Sequence, residues 1–192
     1  MKPAAFLDRD GVICEYVDNI HLVEEFKLRP FVGQAIRLLN EAGYWVFVIT
    51  NQPMLGKGIL TQAGLELIHS KMHAELASLG AKIDGVQYCP HFPGGPVSPW
   101  NTDCDCRKPK IGMIKAHCKH NSVDLENSFL AGDTWRDILC AQTLKLFSYG
   151  IRGGAGFPYP VGNQYAEIKA DLFVDSLYEA VQHRVSKNKS FN

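Results

Sequence analysis

The chain has 192 residues, 20 basic against 20 acidic, a formal net charge of zero and 46% hydrophobic residues. That length suits a single domain, expected to span 1–192, with room for a core. A neutral chain offers no overall basic face for counterion-driven nucleic-acid binding, and no apolar run of about 18 residues could form a membrane span.

In chain order, AAFL (4–7) reads as a short strand that runs into Asp8-Arg9-Asp10-Gly11. The 32–43 segment has helical apolar spacing and stops at Gly43. WVFVIT (45–50) is a buried strand by composition, continuous and rich in β-branched and aromatic residues. A helix is expected from Thr61, its N-cap, to Gly80. GVQYC (85–89) is a third strand, and a loop rich in Pro and Gly follows it. GMIKAHCKH (112–120) is a helix, SFLAG (128–132) a strand, and 134–144 a helix. Strands at 146–151 and 171–174 and a helix at 178–185 complete the pattern, before a polar, frayed tail from about 186 to 192. The N-terminus, MKPAAFLDRDG, lacks the apolar core of a signal peptide. A cytoplasmic setting is therefore expected, where closely spaced thiols stay reduced and read as metal ligands.

Alternating strands and helices predict an α/β fold, a Rossmann-like parallel sheet with helices on both faces. Ligands of such sheets sit at the carboxyl ends of the strands. The segments that follow the strands bring Asp8 and Asp10, then Thr50, Asn51 and Gln52, then Arg107 and Lys108, then Asp133 and Asp137 to one rim. Three carboxylates at strand ends suit a hard cation such as Mg2+. A carboxylate can also attack phosphorus, and a second can give and then take a proton. The Thr50 hydroxyl and Lys108 ammonium fit the oxygens of a transferring phosphoryl group. Singly, these residues have plainer readings: Thr50 as a β former, Lys108 as a solvated lysine, Asp133 as the N-cap of the next helix.

The loop at 89–106 packs three of six cysteines and one histidine into 18 residues. Cys89, His91, Cys104 and Cys106 form a closed tetrahedral set for structural Zn2+. A loop with so little core of its own gains from a metal staple. It could be a ribbon that grips a partner, or a clamp that places Arg107 and Lys108. Cys14, Cys118 and Cys140 read as core or surface thiols, His117, Cys118 and His120 as helix surface, and His69 with His73 as a solvated face.

FLDRDGVI, VITNQ, CRKP and AGDTWRD, in that order, resemble the four motifs of the haloacid dehalogenase superfamily of phosphatases. The resemblance covers nearly the whole chain. It implies Asp8 as nucleophile, Asp10 as general acid and base, and Thr50 and Lys108 on the phosphate, with Asn51, Gln52 and Arg107 toward the substrate. Mg2+ would sit on Asp8, the Asp10 backbone carbonyl and Asp133, with Asp137 as an added ligand or an outer carboxylate. The cysteine loop resembles that of histidinol-phosphate and heptose bisphosphate phosphatases. Its long 92–103 segment, GMIKA, and LGKG after TNQ resemble the heptose group. Asp18-Asn19, Pro53-Met54 and Thr134 depart from that group's usual residues. The resemblance implies a small sugar phosphate as partner, Mg2+ and Zn2+ as cofactors, and a monomer or weak homo-oligomer that binds neither nucleic acid nor membrane. It also implies a bacterial cytosolic role upstream of nucleotide-activated heptose. No large cap domain is expected, which leaves the cysteine loop, with Phe92 and Trp100, as cover. Two other readings stay open: histidinol phosphate as substrate, or a non-catalytic zinc-ribbon module with a structural acidic rim.

Overall fold

A computed structural model describes residues 1–154 and 168–189. Among them, the strands β1 (Lys2–Leu7), β2 (Trp45–Asn51), β3 (Gly85–Cys89), β4 (Val123–Gly132), β5 (Phe147–Ile151) and β6 (Leu172–Val174) form one parallel sheet. Its spatial order is β3-β2-β1-β4-β5-β6. The chain thus starts in the middle, builds outward to β3, then crosses β1 to build the other half. The carboxyl ends of β1, β2 and β4 come to lie side by side at this reversal, where open α/β sheets hold their ligands.

Period-2 alternation divides the core in two. Ala5 and Leu7 of β1 and Val46 and Val48 of β2 face one layer, made by α1 (Val32–Glu41), α2 (Gln62–Ser78) and α5 (Leu177–Lys189). Ala4, Phe6, Phe47 and Ile49 face the other, made by α3 (Gly112–His120) and α4 (Trp135–Thr143). Phe6 and Phe47 stack at 5.8 Å between centroids. Each such fully buried side chain contributes roughly 1.5–3 kcal/mol of transfer free energy. Thr61 caps α2 as expected: its Oγ1 accepts from the Gly64 N–H at 3.0 Å.

Several expectations need correction. β4 begins at Val123, not at 128. Its register against β1 jumps from Pro3↔Asp124 to Ala5↔Phe129. Residues 125–128 interrupt the ladder there, with Glu126 and Asn127 exposed, which hid the strand's first half. The expected frayed tail is helical through Lys189, with the Ser186 hydroxyl donating to the Gln182 carbonyl at 2.8 Å; residues 190–192 of that tail lie outside the described ones. His117 is buried rather than on the surface, stacked on Phe47 at 4.2 Å. Between β1 and α1 the only regular element is a 3-10 turn, Val23–Glu25, so no cap domain is built there. No helix among the described residues is long and apolar enough to cross a membrane.

Candidate active site

Asp8 leaves β1 with its N–H on the Ala131 carbonyl of β4, 3.0 Å away, and its side chain is buried. The turn that follows depends on Gly11, whose φ is +76°. A Cβ there would lie 2.3 Å from Asp133 Oδ2, so only glycine lets the turn approach Asp133. Gly132 meets a similar limit: a Cβ would come within 2.1 Å of Asp137 Cβ.

Lys108 comes from the end of the cysteine loop and is 3% exposed. Its ammonium donates to the Ile49 carbonyl at 2.9 Å and forms ion pairs with Asp8 Oδ1 at 2.9 Å and Asp137 Oδ1 at 2.6 Å. Burial alone would depress its pKa, but Asp137 and Asp8 outweigh that and hold the ammonium charged. Asn51 fixes the backbone of Lys108 with both ends of its amide: Nδ2 donates to the Lys108 carbonyl, and Oδ1 accepts from its N–H. Gln52 Nε2 donates to Asp10 Oδ2 at 2.8 Å and to Thr50 Oγ1 at 2.9 Å. Both residues line the cavity, with their amides turned to these neighbours.

Asp133 is not the N-cap of α4. Thr134 takes that position, and its N–H and hydroxyl both donate to Asp137 Oδ2. Asp137 therefore caps the helix with one oxygen and holds Lys108 with the other. Asp8, Asp133 and Asp137 each offer an oxygen within 4.8 Å of the others. Burial raises the Asp8 carboxyl to about 7; Lys108 opposes the rise, and Asp137 and Asp10 add to it. One ammonium does not offset this many buried carboxylates. An all-oxygen donor set short of positive charge fits a divalent cation.

Asp8, Asp10, Thr50, Asn51, Gln52, Arg107, Lys108 and Asp133 border one cavity of about 180 Å³. Its mouth is completed by Tyr16, Val17, Asp18, Asn19, Ile20, Met54 and Arg136. Phe92 and Trp100, the expected cover, do not line it; the segment after Gly11 does. The polar run CEYVDN gave little hint of that role.

The cysteine loop folds as a cluster. Cys89 Sγ lies 3.5 Å from Cys104 Sγ and 3.7 Å from His91 Nδ1, and Cys106 Sγ lies 3.3 Å from Cys104 Sγ and 3.4 Å from His91 Nδ1. A tetrahedron with bonds of about 2.3 Å to sulfur has edges of about 3.7 Å, so the four atoms are spaced for zinc. All six cysteines are free thiols. Arg107 Nη1 donates to the His91 carbonyl at 3.2 Å, which joins the cluster to the cavity wall.

Sequence reasoning passed over Arg9 and misread His69. Arg9 is fully buried and His69 nearly so. The signal for His69 was present: Leu65, His69, Met72 and Leu76 follow one another at helical spacing on a single buried stripe. His73 points outward, as expected.

A HAD-hydrolase-like family model matches residues 105–180. A D-glycero-beta-D-manno-heptose-1,7-bisphosphate 7-phosphatase of Rhodopseudomonas palustris is 39% identical over 153 residues, 79% of this chain and 84% of the relative. One from Escherichia coli O6:H1 is 36% identical over 180 residues, 94% and 93% of the two chains. Among solved structures, D,D-heptose 1,7-bisphosphate phosphatase from B. bronchiseptica, complexed with magnesium and phosphate, superposes with a TM-score of 0.81 at 30% identity, covering 97% of this chain and 99% of that one. With relatives this similar aligned over most of both lengths, the chain belongs to the D-glycero-beta-D-manno-heptose-1,7-bisphosphate 7-phosphatase family of HAD-like hydrolases.

Proposed function

We propose that this protein is a phosphomonoester hydrolase that removes the 7-phosphate of D-glycero-β-D-manno-heptose 1,7-bisphosphate. The observation that carries the reading is the position of Asp8: buried, 2.9 Å from the Lys108 ammonium, and grouped with Asp133 and Asp137 on the wall of a cavity it shares with Asp10 and Thr50. The substrate class is supported by the relatives' named activity.

An Asp8 oxygen attacks phosphorus, and the bond from phosphorus to the sugar oxygen breaks. Asp10 delivers the proton that the departing alkoxide needs. Asp10 then takes a proton from water as the water oxygen attacks phosphorus, which frees Asp8 and releases inorganic phosphate. Lys108 and the Thr50 hydroxyl hold phosphoryl oxygens in place. Asp8, Asp133 and the Asp10 carbonyl would hold Mg2+, with Asp137 beside them. When bound, the ion offsets carboxylate charge and draws the phosphate oxygens inward. Zn2+ on Cys89, His91, Cys104 and Cys106 would fix the loop that carries Arg107 and Lys108. We place the whole chain, 1–192, in one catalytic domain, working in the cytoplasm as a monomer or weak homo-oligomer.

The test is phosphate release by the Mg2+-loaded, zinc-replete protein on both anomers of heptose 1,7-bisphosphate, on histidinol phosphate and on fructose 1,6-bisphosphate. The heptose β-anomer should give the highest kcat/KM. A preference for histidinol phosphate would move the protein to the other substrate class, and no turnover of any ester would remove the enzymatic reading.

A further inference from the structure

Among the described residues, Arg9 is the largest fully buried side chain, and nothing in the reaction above uses it. It stands between the two motif aspartates. Its N–H bonds Asp8 Oδ1 at 2.7 Å, while its side chain turns to Asp10. Nε donates to Asp10 Oδ1 at 2.9 Å and Nη2 to Asp10 Oδ2 at 3.0 Å, a planar fork on both oxygens. Gln52 holds the second oxygen from the far side at 2.8 Å. The remaining guanidinium edge meets α2, where Nη1 lies 3.3 Å from His69 Nε2. A guanidinium has donors only, so His69 Nε2 must be the acceptor and the ring neutral, with its proton on Nδ1.

We propose that Arg9 is a positioning residue for Asp10, and that neutral His69 in turn holds the Arg9 fork in place. The inference rests on Asp10 being the general acid and base. A buried arginine costs several kcal/mol of desolvation unless paired, and a hydrophobic residue of similar size would often serve the fold as well or better. A charged fork here instead freezes rotation of the Asp10 carboxylate. Proton delivery depends on that rotation, because an acid misplaced by about 1 Å can lose two orders of magnitude in rate. The chain from α2 through His69 and Arg9 to Asp10 thus sets the acid's aim from outside the strand-end motifs.

Leaving-group dependence separates this role from a purely structural one. The alkoxide of a sugar phosphate needs a proton to depart, whereas p-nitrophenolate does not. The constant kcat/KM reports steps up to that departure. With the Mg2+-loaded enzyme, Arg9→Lys keeps the charge but loses the fork. Its kcat/KM should fall about ten- to a hundredfold on the sugar phosphate, within the range for general acid catalysis, and by about threefold or less on p-nitrophenyl phosphate. His69→Leu should show the same selectivity with a smaller loss, and His69→Gln, which keeps an acceptor, should lose less than His69→Leu. Thermal unfolding identifies any variant that does not fold; if Arg9→Lys is one, the two His69 variants carry the comparison. Asp10→Asn is run in parallel. Equal losses on both esters in the Arg9 and His69 variants, beside a selective loss in Asp10→Asn, would overturn the positioning role alone. An unselective Asp10→Asn would overturn the acid assignment and this inference with it.

Discussion

The nucleophile should be a source of instability until the cation arrives, and Asp8→Asn measures by how much. Asp8 rises from an ordinary 3.8 to about 7, with burial the largest cause. Well below 3.8 the carboxyl is neutral whether the chain is folded or not, and it costs nothing. As pH climbs from about 4 to 7, the unfolded chain ionises freely while the folded one resists. The folded state holds the extra proton, so stability falls with pH and levels off above 7. At about 1.4 kcal/mol per pKa unit the gap is slightly over about 4 kcal/mol, and relaxation of the site should reduce it to about 2–4 kcal/mol. Asparagine keeps the shape and carries no charge to bury. In magnesium-free buffer at pH 8, with zinc retained, Asp8→Asn should therefore melt about 5–12 °C above the wild type, at about 2–4 °C per kcal/mol for a chain of this size. At pH 4.5 the difference should shrink to about a quarter of that. Millimolar Mg2+ should raise the wild type more than the variant, because only the wild type offers it the full carboxylate set. A variant that melts at or below the wild type at pH 8 would refute the electrostatic reasoning, since the Lys108 pair would then outweigh burial.

Three further outcomes follow from the geometry. Cys104→Ser should release zinc, read by elemental analysis, and should lower kcat by loosening Lys108; unchanged metal content would show that the cluster is not the site. Gly11→Ala forces a side chain into a positive-φ turn against Asp133, so Mg2+ affinity in titration calorimetry should drop at least about tenfold, a cost of about 1–3 kcal/mol. Arg107→Ala should lower kcat/KM on the sugar bisphosphate about ten- to a hundredfold, the equivalent of one charge-assisted hydrogen bond, and change p-nitrophenyl phosphate hydrolysis little. Equal losses on both would show that Arg107 acts through Lys108.

The strands were legible because buried parallel strands are written as continuous apolar runs, and WVFVIT could be little else. The rim could be read because topology alone sends strand ends to one edge. Where reading failed, a polar residue was doing something indoors. Arg9 and His69 look solvated one at a time, yet inside the fold Arg9 is paired with both Asp10 and His69. The first half of β4 was hidden by a bulge whose polar residues break the apolar run. The cavity cover was misassigned for a different reason. Aromatic residues in a loop suggest a lid, but which loop folds over a cavity depends on the whole path of the chain. Thr134 replaced Asp133 as the cap of α4 because Asp133 turns its carboxylate toward Gly11 and Gly154 instead.

Cys89 is the last residue of β3, in register with Asn51, and its carbonyl accepts the Gln52 N–H at 2.8 Å. The other three members of the cluster ride on the loop. A metal bound there would pin both ends of segment 92–103 to the sheet, so that changes in that segment's length stop at the cluster and do not reach Lys108. Insertions, deletions or wholesale replacement between His91 and Cys104 then leave the buried ammonium where Asn51 and β2 hold it. The segment is thereby free to diverge between relatives, or to be exchanged by design, at a rate set by its own surface and not by the chemistry a few residues away.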